Sequence, residues 1–151
     1  MALEDANKSA NEEAAEGRLD ATLKRLFDAA LAVARHSYSP YSGFKVGAAL
    51  KLSNGEIVTG TNVENVSYGL TICAERAAVV QAVSRFGPTI RIEAVAIANP
   101  DKVPCPPCGA CRQFVAEFVE PEAPVVFPVS NGVCVMPFSQ ILPLALELKL
   151  K

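Results

Sequence analysis

Hydrophobic positions along the chain change period several times, and each change marks an element. Leu19, Leu23, Leu26, Phe27, Ala30, Leu31 and Ala34 recur at intervals of three and four, which predicts an amphipathic helix. Pro40 and Gly43 in "SYSPYSGF" end it. "FKVGAALKL" alternates, and "EIVTGTN" follows after the turn "SNG", so the two predict a β-hairpin. "NVENVSYGLTI" is polar and irregular and reads as a loop. "CAERAAVVQAVSRF" predicts a small-residue helix ending near Gly87, and the apolar run in "IRIEAVAIAN" predicts a buried strand. A proline-rich loop, "PDKVPCPPCG", leads into a further helix, "ACRQFVAEFV". "APVVFPV" and "VCVMPF" predict two short strands around a second "SNG" turn, and "SQILPLALELKL" a closing helix. Helices interleaved with about five strands predict a three-layer α/β/α sandwich around a mixed sheet.

Composition narrows the possibilities. The chain has 151 residues, 50% hydrophobic and 20% charged, which suits one domain with a substantial core over residues 18–151. Residues 1–17 hold few large apolar groups and are expected to form a disordered tail. The formal net charge is -2, with no stripe of Lys or Arg, so a nucleic-acid groove is not expected. No apolar run is long enough to span a bilayer, and the acidic, polar first residues lack a signal-peptide core. A cytoplasmic location is the expectation.

Five cysteines, an odd number without a secretory signal, point to metal or catalytic chemistry rather than a disulfide frame. Cys73 opens one predicted helix and a CxxC opens another. Helix N-termini present free N–H groups and a positive dipole end, which stabilise thiolates. Two such starts can converge on one zinc, with a water completing the tetrahedron at a catalytic site. Two CxxC frames compete. Pro106 and Pro107 lie between Cys105 and Cys108, and neither has an N–H to direct at a sulfur. Gly109 and Ala110, between Cys108 and Cys111, donate freely, so Cys108 and Cys111 are the better pair and Cys105 a bystander. Glu75, two residues after Cys73, is placed to exchange protons beside an open metal position, although the first turn of any helix favours a Glu. Cys134 reads as strand core. His36, the single histidine, reads as a helix C-terminal cation.

"CAE" at Cys73 to Glu75 and "PCGACRQ" at Pro107 to Gln113 resemble the zinc-dependent cytidine deaminases, as do "SPYSGFKVGAAL", "GTNVENVSYG" and the "LP" of Leu142 and Pro143. The length resembles the short, homotetrameric class. The resemblance implies one zinc per chain on Cys73, Cys108 and Cys111, with Glu75 as proton shuttle. It implies hydrolytic deamination of cytidine and deoxycytidine in pyrimidine salvage. It also implies nucleoside contacts from Phe44, Asn62, Glu64, Asn65, Tyr68 and Ala74. Three thiolates carry excess negative charge, and Arg76 and Arg112 are candidates to offset it, Arg112 the more so. Two departures stand out. Leu146 occupies a position where the family often has Phe, and Cys105 and Pro106 lengthen the loop at the metal.

Three other readings fit parts of the pattern. A polynucleotide deaminase would share the zinc core but need a basic surface. A deaminase of a nucleoside antibiotic would also share it. A structural zinc module would fill the fourth position with a protein ligand, for which Cys105 is the candidate. The leucines of "ILPLALELKL" exceed what one helix face of a small domain buries, and so favour an assembly.

Overall fold

The computed structural model describes residues 19–148; the expected N-terminal tail and Leu150 lie outside them. The elements run α1 (Ala21–Ala34), β1 (Gly47–Leu52), β2 (Ile57–Thr61), a 3-10 turn (Tyr68–Leu70), α2 (Ala74–Phe86), β3 (Ile92–Ala98), α3 (Gly109–Ala116), β4 (Pro124–Val129), β5 (Gly132–Pro137) and α4 (Phe138–Ile141). The strands form one mixed sheet in the order β2-β1-β3-β4-β5. β3 and β4 pair in parallel, with Val95 opposite Val125, and the other neighbours are antiparallel.

Side-chain size decides how each face is covered. α1 starts where the Asp20 carboxylate accepts the Leu23 N–H at 2.8 Å, and it buries Leu26, Ala30 and Ala34. That stripe packs on Ala49, Ala94, Ala96 and Ala98, a sheet face made mainly of alanine. The other face presents Leu50, Leu52, Val58, Val95 and Ile97 to α2 and its neighbours. β1 is therefore buried on both faces. Gly47 and Ala49 face α1, while Ala48, Leu50 and Leu52 join the core on the α2 side. Lys51 remains half-buried and pairs with Glu93 at 2.5 Å.

Two glycines allow the layers to approach. A Cβ on Gly47 would lie 2.0 Å from the Ala30 carbonyl oxygen of α1. One on Gly60 would lie 2.3 Å from the Ala78 nitrogen and 2.6 Å from the Ala74 carbonyl oxygen of α2. These are backbone atoms, which cannot yield by changing rotamer. Gly60→Ala is therefore expected to destabilise the fold by about 3 kcal/mol, the upper end of ordinary overpacking, and to lower the thermal midpoint accordingly. A midpoint equal to that of the unmodified chain would show that α2 does not press on β2.

The C-terminal segment departs from expectation. The predicted closing helix lasts four residues and stops at Leu142, whose φ of -134° is extended. Pro143 is the cause: its ring drives the preceding residue out of the helical region. Ile141 is buried, whereas Leu144, Leu146 and Leu148 are exposed.

Candidate metal centre and the cleft beside it

Two helix starts from distant parts of the chain meet at one point. Cys73 is the N-cap of α2 and Cys108 the N-cap of α3, while Cys111 lies in the first turn of α3. The Cys73 and Cys108 sulfurs are 3.9 Å apart, and all three sulfurs lie within 4.8 Å of one another. Zinc–thiolate bonds of about 2.3 Å in a tetrahedron place sulfurs about 3.8 Å apart, so the donor set fits zinc in chemistry and in spacing. Cys111 is buried, Cys73 half-buried and Cys108 exposed, so the group opens on one side.

Local backbone chemistry prepares the sulfurs. The Cys111 N–H donates to the Cys108 sulfur at 3.4 Å. The donor is the second cysteine's own amide; the Gly109 and Ala110 amides, expected from the sequence to donate, are not among the recorded donors to a sulfur. Cys105 is bound differently: its own N–H donates to the Pro128 carbonyl at 3.0 Å, and its thiol packs against the core. Burial pushes that thiol up to about 11. Among the described residues the metal-type cluster comprises Cys73, Cys108 and Cys111, without Cys105. The neighbouring Cys111 thiol is the chief influence holding Cys73 down at about 5, with help from Arg76. The same contact raises Cys111.

The two arginines, both candidates to offset the thiolate charge, take different places. Arg76 directs Nη2 at the Thr71 carbonyl (3.1 Å) and at the Cys73 sulfur (3.8 Å). Its guanidinium is the cation at the cluster. Arg112 instead donates from Nε to the Pro107 carbonyl at 2.8 Å and from Nη1 to the Ile141 carbonyl at 3.2 Å. It braces the metal loop against α4 and has no recorded bond to a sulfur. Helical spacing does not separate the two, since Arg76 is three residues after Cys73 and Arg112 four after Cys108.

Glu75 is 5% exposed, although it sits in the first turn of α2. It borders a small internal gap of about 10 Å³ together with Pro107, Cys111 and Arg112. Burial raises its carboxyl above the usual range, and its own backbone amide opposes the shift. A solvated helix-end glutamate would be free of that strain.

A short ladder of bridges carries the "NVEN" segment to the cysteines. Val63 and Ile72 exchange backbone bonds at 2.9 and 3.0 Å, which puts Asn62 and Glu64 on the strand flanking Thr71 to Cys73. Glu64 accepts from the Tyr41 and Ser42 amides at 2.9 and 3.2 Å and from the Ser42 hydroxyl. The hydroxyl bond is the chief reason its pKa is lowered. Glu64, Tyr41, Ser42, Tyr68 and Thr71 line a cleft of about 440 Å³, in which Tyr41 and Tyr68 meet edge to face. Sequence reasoning assigns no site role to Tyr41 and Ser42, although "SPYSGF" is read both as a helix-breaking turn and as part of the family motif.

Other residues singled out in the sequence take more structural places. The Asn62 amide oxygen accepts from the Val46 N–H (2.8 Å) and the Ser37 hydroxyl (2.5 Å), and its nitrogen donates to the Phe44 carbonyl (2.9 Å). Phe44 packs against the core, Ala74 is fully buried, and Tyr68 is 76% exposed. Asn65 is exposed and caps its own turn by accepting from the Ser67 amide at 2.9 Å.

Residues 20–127 match the model of the cytidine and deoxycytidylate deaminase zinc-binding region. The chain is 48% identical over 106 residues to a probable cytidine deaminase of Dictyostelium discoideum, an alignment covering 70% of this chain and 71% of that protein. The crystal structure of cytidine deaminase from Burkholderia pseudomallei superposes with a TM-score of 0.74 at 41% identity, covering 82% of this chain and 98% of that one. That of cytidine deaminase from Mycobacterium tuberculosis gives 0.73 at 39% identity, covering 85% and 100%. Sheet order, thiol cluster and sequence thus agree, and the chain belongs to the cytidine and deoxycytidylate deaminase family, whose zinc-binding region it contains.

Proposed function

We propose that this chain is a zinc-dependent hydrolase that deaminates cytidine and deoxycytidine to uridine and deoxyuridine in pyrimidine salvage. The observation that carries this is a buried carboxyl, Glu75, beside three converging thiols that leave a fourth position open. Cys73, Cys108 and Cys111 would hold one zinc per chain, which lowers the pKa of a water and supplies the nucleophile. Glu75 does the proton work. It takes a proton from the attacking water and passes it to the ring nitrogen beside the target carbon, then takes the remaining proton from the new hydroxyl and delivers it to the departing ammonia. A carboxyl raised by burial suits both directions of transfer near neutral pH. Arg76 offsets the charge of the three thiolates, a role in which Arg112 takes less part.

Glu64, held ionised by Ser42 and two amides, is the acceptor for ribose hydroxyls. Asn62 fixes the strand that carries it and has one amide hydrogen left to donate. Phe44, Tyr68 and the Ala74 main chain border the base, and Asn65 shapes the turn between them. Ammonia release from cytidine, with zinc content measured on the same sample, tests the reading. A zinc-loaded chain that leaves cytidine and deoxycytidine unchanged would refute it, whether or not it acts on single-stranded nucleic acid.

We also propose a cytoplasmic homotetramer. Tyr38, Val63, Val66, Tyr68 and Leu70 are exposed around the cleft, and Leu144, Leu146 and Leu148 along the C-terminal segment. Clusters of exposed large apolar side chains on this scale mark interfaces. Sedimentation at micromolar concentration is expected to give four chains. A truncation that tests the interface should fall after Leu142, because Ile141 is a core residue. That variant is expected to assemble poorly and lose activity; a fully active monomer would overturn the assembly.

A further inference from the structure

Arg112 and Gln113 directly follow the buried cysteine of α3, and both reach the C-terminal segment. Arg112 Nη1 donates to the Ile141 carbonyl. Gln113 does more: its Nε2 donates to the Leu146 carbonyl at 3.1 Å, and its Oε1 accepts the Leu146 N–H at 3.0 Å. One side-chain amide thereby satisfies both backbone groups of one residue, as a neighbouring strand would. Among the described residues these two bonds are the hydrogen bonds recorded for positions 143–148. The segment lies along the outer stripe of α3, where Ala110, Phe114 and Glu117 border a cleft of about 550 Å³ with Leu146 and Leu148. The inner stripe of the same helix holds Cys111 and Val115, both buried.

We propose that Gln113 is a positioning residue that clamps the C-terminal segment across α3 and so holds two zinc ligands in place. α3 has eight residues, well below the length at which a helix persists alone. Core contacts support its inner side. On its outer side, support comes from a segment with no regular structure, fixed at Leu146. If that fixing is lost, the segment frees itself and the helix bearing Cys108 and Cys111 opens more often. The inference rests on the zinc reading of the cluster, but not on the identity of the substrate.

The test uses the full-length, zinc-loaded chain with Gln113→Leu, which keeps the bulk but neither bond, and Gln113→Glu, which keeps the acceptor alone. Lys24→Ala, which breaks an exposed ion pair on α1, is the control. Two quantities are read: amide hydrogen exchange at Leu146 and in α3, and the rate at which zinc passes to a chromophoric chelator. Gln113→Leu is expected to speed exchange at Leu146 and zinc release each by about tenfold, the scale of one or two net hydrogen bonds. Gln113→Glu should fall between it and the unmodified chain. Fast Leu146 exchange in the unmodified chain would overturn the clamp. So would unchanged zinc release and α3 exchange in a variant whose Leu146 has become fast. A chain that binds no zinc would refute the metal reading, and α3 exchange would still decide the clamp. If Gln113→Leu does not fold, Gln113→Glu carries the comparison.

Discussion

Glu75→Gln keeps its zinc and its fold and loses at least ~100-fold in turnover, the low end for a general acid–base residue. The amide has nearly the shape of the carboxyl it replaces. It is also neutral, so burial at 5% exposure costs it less than it costs the carboxylate. Packing of α2 and spacing of the three sulfurs should therefore survive, and the loss should fall on kcat rather than on KM. What disappears is a site able to accept and return protons. Steady-state kinetics on protein of measured zinc content checks this. Near-normal turnover in a metal-loaded Glu75→Gln would remove Glu75 from the mechanism.

Cys111→Ser and Cys108→Ser are expected to lose zinc and, with it, activity by a similar factor or more, whereas Cys105→Ser keeps one zinc per chain and most of its activity. Serine replaces a soft thiolate by a hydroxyl that zinc binds poorly. At Cys111 it also disturbs a fully buried position at the start of α3. The Cys105 thiol, raised to about 11, is seldom a thiolate, and its sulfur lies outside the cluster. Metal analysis after dialysis separates the cases. Retention of zinc by Cys111→Ser together with its loss from Cys105→Ser would mean that the other CxxC frame holds the metal.

Much of this arrangement is legible in the sequence because it depends on local chemistry. The prolines between Cys105 and Cys108 select the Cys108 and Cys111 frame, which is the one that joins Cys73 in the cluster, although the amide that donates to a sulfur is that of Cys111 and not of Gly109 or Ala110. Helix starts at Cys73 and Cys108 follow from the change to a three-and-four period just after each. The strands follow from short apolar runs between turn signals. What is not legible depends on partners far along the chain. A three-layer sandwich implies a helix on each face of "GAALKL", but nothing local says that α1 is the one that covers its alanine face. The bonds of Asn62 to Phe44 and Val46 need the 3-D meeting of two segments, so its structural role is hidden behind a motif that also suits a sugar. The end of the closing helix is different, because the Pro143 signal was available locally and the apolar run outweighed it. The sequence ranks Arg112 above Arg76, yet it is Arg76 that reaches a sulfur, a difference set by the carbonyls of Pro107 and Ile141 that Arg112 meets and not by local spacing.

The meeting of the α2 and α3 N-caps has a consequence for the chain as a polymer. Cys73 and Cys108 are 35 residues apart. A cross-link closing a loop of that span removes conformational freedom from the unfolded ensemble worth about 4 kcal/mol. Zinc on these sulfurs would act as such a cross-link, joining the helical layer to the loop after β3, and its loss would return that freedom. For a protein of this size, such a sum is a large share of net stability. Metal supply would then govern how long the folded chain persists as well as whether it turns over substrate.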